Sequence, residues 1–122
     1  MKILFLIGTG SFMGGIFRYL LSKIIQAKTL SVFPFGTLTV NILGCFLIGI
    51  VFGLVDKNSI TQEWKLFLTT GLLGGFTTFS AFSIESINLF KGGQFWYAVA
   101  YISASLFLGL TATYFGKLII ES

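Results

Sequence analysis

The fold of this chain is decided by Gly71-Leu72-Leu73-Gly74-Gly75-Phe76-Thr77-Thr78-Phe79-Ser80-Ala81-Phe82-Ser83, in the middle of a long apolar span. The segment combines glycines, hydroxyl side chains and phenylalanines. Lipid cannot satisfy an interrupted backbone, so irregular chain at membrane depth must be buried in protein or line a wet cavity. Carbonyls and hydroxyls released at such a break can hold an ion. The segment therefore predicts an ion site and a permeation path rather than an enzyme active site.

The composition outside this segment also indicates a membrane protein. Of the 122 residues, 55% are hydrophobic and 10% are charged, whereas a soluble domain carries about 25% charged residues. We predict one transmembrane domain over residues 1–122. The absence of histidine excludes a histidine metal site or base, and the single cysteine, Cys45, excludes an intrachain disulfide. The basic residues are scattered, so nucleic-acid binding is not expected.

Four membrane-spanning helices fit the hydropathy pattern, because a helix needs about 20 apolar residues to cross the hydrocarbon core. The spans are predicted at about residues 3–21, 33–55, 64–90 and 95–120. The connections are short and both termini lie on the same side. We therefore expect an all-α, multi-pass protein of the cell inner (plasma) membrane, with a broken third helix.

The basic residues divide almost evenly between the two sides of the membrane. One side carries Lys2, Lys57, Lys65 and Lys117, and the other carries Lys23, Lys28, Lys91 and, at a helix end, Arg18. Since an excess of Lys and Arg sets orientation, this balance favours insertion both ways and an antiparallel, dual-topology homodimer. Four helices are also too few to enclose a useful pore, which again favours a dimer.

Two features of the central segment suggest ion contacts. Phe79 and Phe82 share a helix face, and aromatic ring edges carry positive electrostatic character that suits a small anion. The alternative is ordinary lipid-facing or core phenylalanine. The residues from Gly74 to Thr78 can leave carbonyls without helical partners, which suits an alkali cation. The alternative there is a kink or a close helix crossing.

Three polar residues elsewhere in the spans are further candidates. Arg18 either snorkels to the interface or faces a vestibule and raises the local anion concentration. Asn41 either donates hydrogen bonds to a dehydrated anion or joins two helices. Glu85 is an intramembrane carboxylate that serves as a proton carrier, an ion ligand or a buried hydrogen-bonded group. With no second acid near it, a paired-carboxylate hydrolytic site is not supported.

The chain resembles the Fluc (CrcB) family of fluoride channels over nearly its whole length. The resemblance rests on Gly14-Gly15-Ile16-Phe17-Arg18-Tyr19, on Phe35-Gly36-Thr37-Leu38-Thr39-Val40-Asn41-Ile42-Leu43-Gly44-Cys45, and most specifically on Gly71 to Phe82. It implies a dual-topology homodimer that lets fluoride leave the cytoplasm passively, which lowers fluoride toxicity. It also implies two antiparallel pores at the dimer interface.

The resemblance further implies one structural sodium ion at the centre of the dimer. By motif position, main-chain carbonyls of Gly74 and Thr77 from both copies would hold it. The fluoride pathway implied by the resemblance consists of Asn41, Phe79, Phe82, Ser105, Thr78, Arg18 and Glu85. In that pathway the two phenylalanines present ring edges, Asn41 donates to the ion, Arg18 lies near the vestibule and Ser105 starts a polar track on the fourth helix.

The chain departs from the family pattern at two positions. Ala81 stands where the family often has threonine, so one hydroxyl is missing. Gly109 stands one turn after Ser105, where a second hydroxyl is expected. A water, or the hydroxyl of Thr111 or Thr113, is an alternative source of that polar group.

Two other functions compete with a channel. A dual-topology, proton-coupled multidrug exporter has a similar length, but such transporters use a carboxylate in the first helix, and here Glu85 is in the third. A structural membrane subunit would not need the Gly-Gly and Thr-Thr pairs beside Asn41. Coupled transport concentrates a substrate against its gradient, whereas a channel cannot.

Overall fold

The computed structural model describes all 122 residues, and its regular secondary structure is entirely helical. Four segments are long and apolar enough to cross a membrane, namely Lys2–Thr29, Phe35–Asp56, Gln62–Lys91 and Phe95–Glu121. They are called here the first to fourth spans. The sequence-based prediction of an all-helical chain with four potential membrane spans is confirmed.

The helix of the first span extends beyond the apolar segment predicted to end near Leu21. The helix continues to Thr29 and ends at Leu30, which has a left-handed backbone with φ of 51°. The added turns contain Lys23, Gln26 and Lys28. Lysine and glutamine are good helix formers, so the helix continues beyond the point where its sequence stops being apolar.

The third span is not one regular helix. It begins as an α-helix over Gln62–Leu66, continues as a π-helix over Phe67–Leu73 and returns to an α-helical turn over Gly74–Phe76. Helical geometry resumes over Phe79–Lys91. Between the two parts the backbone is extended, with φ and ψ of −89° and 157° at Thr77 and of −149° and 116° at Thr78.

Glycines allow the spans to approach closely at two crossings. The second and fourth spans meet at Gly49 and Gly116, where an added Cβ would collide with the main chain of the opposite helix. The first span meets the third at Gly14, where a Cβ would collide with the carbonyl of Leu72. Close backbone approach through small residues is how membrane helices associate. The crossing at Gly14 places the part of the third span that precedes the extended residues against the first span, and Thr77 itself lies against Gly44 of the second span.

Candidate ion site and permeation cavity

The side chain of Asn41 forms hydrogen bonds with the backbone of the extended segment. Its Nδ2 donates to the carbonyl of Thr78 at 3.0 Å, and its Oδ1 accepts from the N–H of Thr78 at 2.9 Å. One amide thus satisfies both polar groups of a residue that has left the helical ladder. The structure shows the contact between helices that was one interpretation of Asn41. The second amide hydrogen has no partner within the chain, and the role of ion donor stays a prediction.

Two carbonyls lose their helical donors at the same place. In a continuous α-helix, Gly74 would accept from the N–H of Thr78, and Thr77 would accept from the N–H of Ala81. The first of these N–H groups donates to Asn41 instead, and the second donates to Thr78 Oγ1 at 3.1 Å. The two oxygens released in this way are those that the resemblance assigns to a sodium ion.

A third carbonyl of this region is held by Arg18. Its Nε donates to the carbonyl oxygen of Gly75 at 3.1 Å, and this oxygen would otherwise pair with the N–H of Phe79 in a continuous helix. Arg18 is half-buried and is absent from the cavity lining described next. Its observed contact is therefore with the backbone of the third span, which neither sequence-based interpretation anticipated.

A cavity of about 370 Å³ lies between the second, third and fourth spans. Its lining includes most of the predicted site residues, namely Asn41, Gly74, Thr77, Thr78, Phe79, Phe82 and Ser105. No charged side chain contributes to the lining. The cavity therefore offers amide, hydroxyl and aromatic groups to an ion without a fixed charge to trap it.

The two phenylalanines form part of a continuous aromatic contact. The ring centroids of Phe79 and Phe82 are 5.6 Å apart, and those of Phe82 and Tyr101 are 5.2 Å apart. The side chain of Phe79 is 79% exposed in the single chain, whereas Tyr101 is completely buried. Phe82 thus joins the open side of the cavity to the interior of the bundle.

Ser105, the predicted start of a polar track on the fourth span, has a buried Oγ with no hydrogen-bond partner. The hydroxyl of Thr113 does not replace the group missing at Gly109, because it donates to the carbonyls of Cys45 and Gly109, each at 3.1 Å. The side chain of Thr111 is exposed. Cys45 Sγ lies 3.4 Å from the place that a Cβ of Gly109 would take, so the thiol packs against the position where the expected side chain is missing.

Glu85 lies outside the 370 Å³ cavity and is held by two hydroxyls. Its Oε2 accepts from Thr37 Oγ1 at 3.0 Å, and its Oε1 accepts from the hydroxyl of Tyr101 at 3.1 Å. No basic side chain forms an ion pair with it. Neither donor was predicted from the sequence. Thr37 had a signal, since it lies one turn before Asn41 on the same helix, whereas Tyr101 had none.

These features define the class of the protein. It is a small, multi-pass, all-helical membrane protein in which an interruption of the third span leaves two carbonyl oxygens without their helical donors beside an uncharged, mainly apolar cavity. Residues 5–117 match the family model described as "CrcB-like protein, Camphor Resistance (CrcB)". The chain belongs to this family, and the resemblance noted in its sequence is confirmed.

Curated relatives support the same assignment. A protein of Flavobacterium psychrophilum is 47% identical over 120 residues, which cover 98% of this chain and 97% of the relative. A protein of Azobacteroides pseudotrichonymphae is 39% identical over 122 residues, covering 99% and 98%. One of Ruminiclostridium cellulolyticum is 44% identical over 117 residues, covering 95% and 90%. All three are named "Fluoride-specific ion channel FluC". An ion channel is not an enzyme, in agreement with the prediction from the sequence.

Proposed function

We propose that this protein is a fluoride-selective, passive channel that lets fluoride leave the cytoplasm across the inner membrane and so lowers its toxicity. The observation that carries the proposal is the cavity that brings Asn41, Ser105 and the two phenylalanines together beside the extended Thr77 and Thr78. A dehydrated small anion needs hydrogen-bond donors and positive ring edges. The names of the curated relatives support fluoride as that anion.

The proposed working form is an antiparallel homodimer with dual topology. The cavity is open on the side where Phe79 is exposed, and a second copy would close it. The nearly equal number of basic residues on the two sides supports insertion in both orientations. In such a dimer the two cavities would run in opposite directions as separate pores.

A structural sodium ion at the centre of this dimer is also proposed. The residues fit the ion, because Gly74 and Thr77 have carbonyl oxygens whose helical donors bond elsewhere. Carbonyl oxygens are the hard ligands that an alkali cation prefers, and no cluster of three or more acidic, cysteine or histidine side chains competes for a metal. The bound ion would supply positive charge beside the released carbonyls and hold the two third spans together.

The test of the sodium site is ion replacement. We expect purified protein to lose thermal stability, and to dissociate to monomers on size exclusion, when sodium is replaced by N-methylglucamine. Restoring sodium should reverse both changes. Equal stability and an unchanged dimer in both salts would contradict the sodium proposal. That result would leave the proposed fluoride pathway unaffected.

The channel proposal is tested by fluoride efflux from liposomes that hold the purified protein. We expect rapid loss of fluoride down its gradient, no matching loss of chloride, and no uphill movement of fluoride when a proton gradient is applied. The same preparation should elute as a dimer on size exclusion. Proton-driven accumulation would favour a coupled transporter, and a folded dimer without fluoride flux would exclude the proposed function.

A further inference from the structure

We propose that Gln26 is a positioning residue for the conduction pathway, acting on Glu85 through the first turn of the second span. The inference rests on the channel function proposed above and assigns a part of its control to a residue outside the 370 Å³ cavity. Gln26 lies in the turns by which the first helix exceeds its predicted length. It and Glu85 line a second cavity, of about 460 Å³, which also includes Asn88 and Gln94.

The side chain of Gln26 satisfies three backbone groups of the chain that follows it. Its Nε2 donates to the carbonyls of Ser31 at 2.8 Å and Phe33 at 3.0 Å. Its Oε1 accepts from the N–H of Gly36 at 3.0 Å. We call these three hydrogen bonds the Gln26 clamp. They join the end of the first span, the connecting loop and the start of the second span.

The second span needs such a clamp because its own N-terminus lacks a cap. The first N–H groups of a helix have no partner within the helix. The preceding residue, Pro34, has no side-chain acceptor, and the helix has no side-chain cap of its own. The N–H of Gly36 is therefore satisfied from the neighbouring helix. Gln26 can reach this N–H because Gly36 packs against the backbone of Ser22, one turn before Gln26. Any Cβ at Gly36 would collide with that backbone.

Two of the residues held by the clamp, Phe33 and Gly36, lie next to the residues that donate hydrogen bonds to Glu85. Gly36 is followed by Thr37, whose hydroxyl donates to one carboxylate oxygen. The ring of Phe33 meets the ring of Tyr101 edge to face, with centroids 5.8 Å apart and planes at 82°, and the Tyr101 hydroxyl donates to the other oxygen. Loss of the clamp would free the loop and the first helical turn, and would thereby loosen both donors.

The experiment compares Gln26→Met with wild type, because methionine keeps the length of the side chain and removes all three hydrogen bonds. We expect fluoride efflux per folded dimer to slow by roughly tenfold, the scale that weakening the two hydrogen bonds to Glu85 allows. Labelling of Glu85 by dicyclohexylcarbodiimide, followed by mass spectrometry, should become faster because the carboxyl group, which reacts in its protonated form, is less firmly held. A substitution that lowers stability at a distance from Glu85 would not change this labelling.

The matched control is Thr61→Ala, which removes a single helix-cap hydrogen bond, from Trp64 N–H to Thr61 Oγ1, at the opposite end of the bundle. It should leave both readouts at the wild-type level. Either change in Gln26→Met without the other, or no change in either, would overturn the proposal. Absence of fluoride flux in the wild type would instead refute the channel function, while the labelling comparison would still test the clamp.

Discussion

Asn41→Asp should abolish fluoride conduction, with a loss of at least about 100-fold in efflux rate. Aspartate can still accept from the N–H of Thr78, but when ionised it has no hydrogen to donate to the Thr78 carbonyl that Asn41 now satisfies. The Thr78 carbonyl is part-buried, and a fully buried acceptor left unpaired costs about 1–3 kcal/mol, which is the upper bound of the cost here. A negative charge in the cavity also repels an anion by about 4 kcal/mol at 4 Å in a medium of effective dielectric 20.

The measurement is fluoride efflux per folded dimer, and the control is Asn58→Asp. Asn58 is exposed in the connection between the second and third spans. Its substitution therefore makes the same amide-to-carboxylate change away from the cavity. The control should conduct normally. Normal conduction by Asn41→Asp would show that the amide is only a contact between helices and would remove it from the proposed pathway.

Phe82→Ile should retain the fold and reduce fluoride efflux by about 10- to 100-fold. Phe82 lines the cavity and contacts Phe79 and Tyr101, and the positive edge of its ring can stabilise an anion there. Isoleucine fills much of the same space but has no positive ring edge. The change should therefore affect an anion in the cavity more than it affects the packing of the third span.

The matched control for this substitution is Phe107→Ile. Phe107 is 71% exposed on the fourth span and does not line the cavity. Efflux and thermal stability should both stay at the wild-type level in the control. If Phe82→Ile and Phe107→Ile conduct equally well, the ring of Phe82 makes no contribution to permeation.

Much of the fold could be predicted because hydropathy is a local property of the chain. Runs of apolar residues marked four potential spans, and their number was confirmed. The helix of the first span continues past the apolar segment, to Thr29, on residues such as Lys23 and Gln26, which are polar but favour helix. The π-helical turn over Phe67–Leu73 was not predicted, since apolar periodicity does not distinguish it from an α-helix over so short a length.

The candidate site was predictable only in its residue types. Glycine, threonine and phenylalanine in one segment pointed to carbonyls and ring edges, and the cavity places these groups together. Their partners were not predictable. Asn41 was assigned either to an ion or to a second helix, and its pairing with Thr78 depends on how the second and third spans are rotated toward each other.

By itself the sequence determined a four-span helical membrane protein of the CrcB family with an irregular segment in its third span. Only the tertiary structure decided that Arg18 holds the carbonyl of Gly75 and that hydroxyls from two other spans hold Glu85. These contacts join residues far apart in the chain. Hydropathy and motifs record what each segment contains, whereas the partner of a polar side chain is set by the helix crossings, which glycines such as Gly14 and Gly36 bring close enough to form.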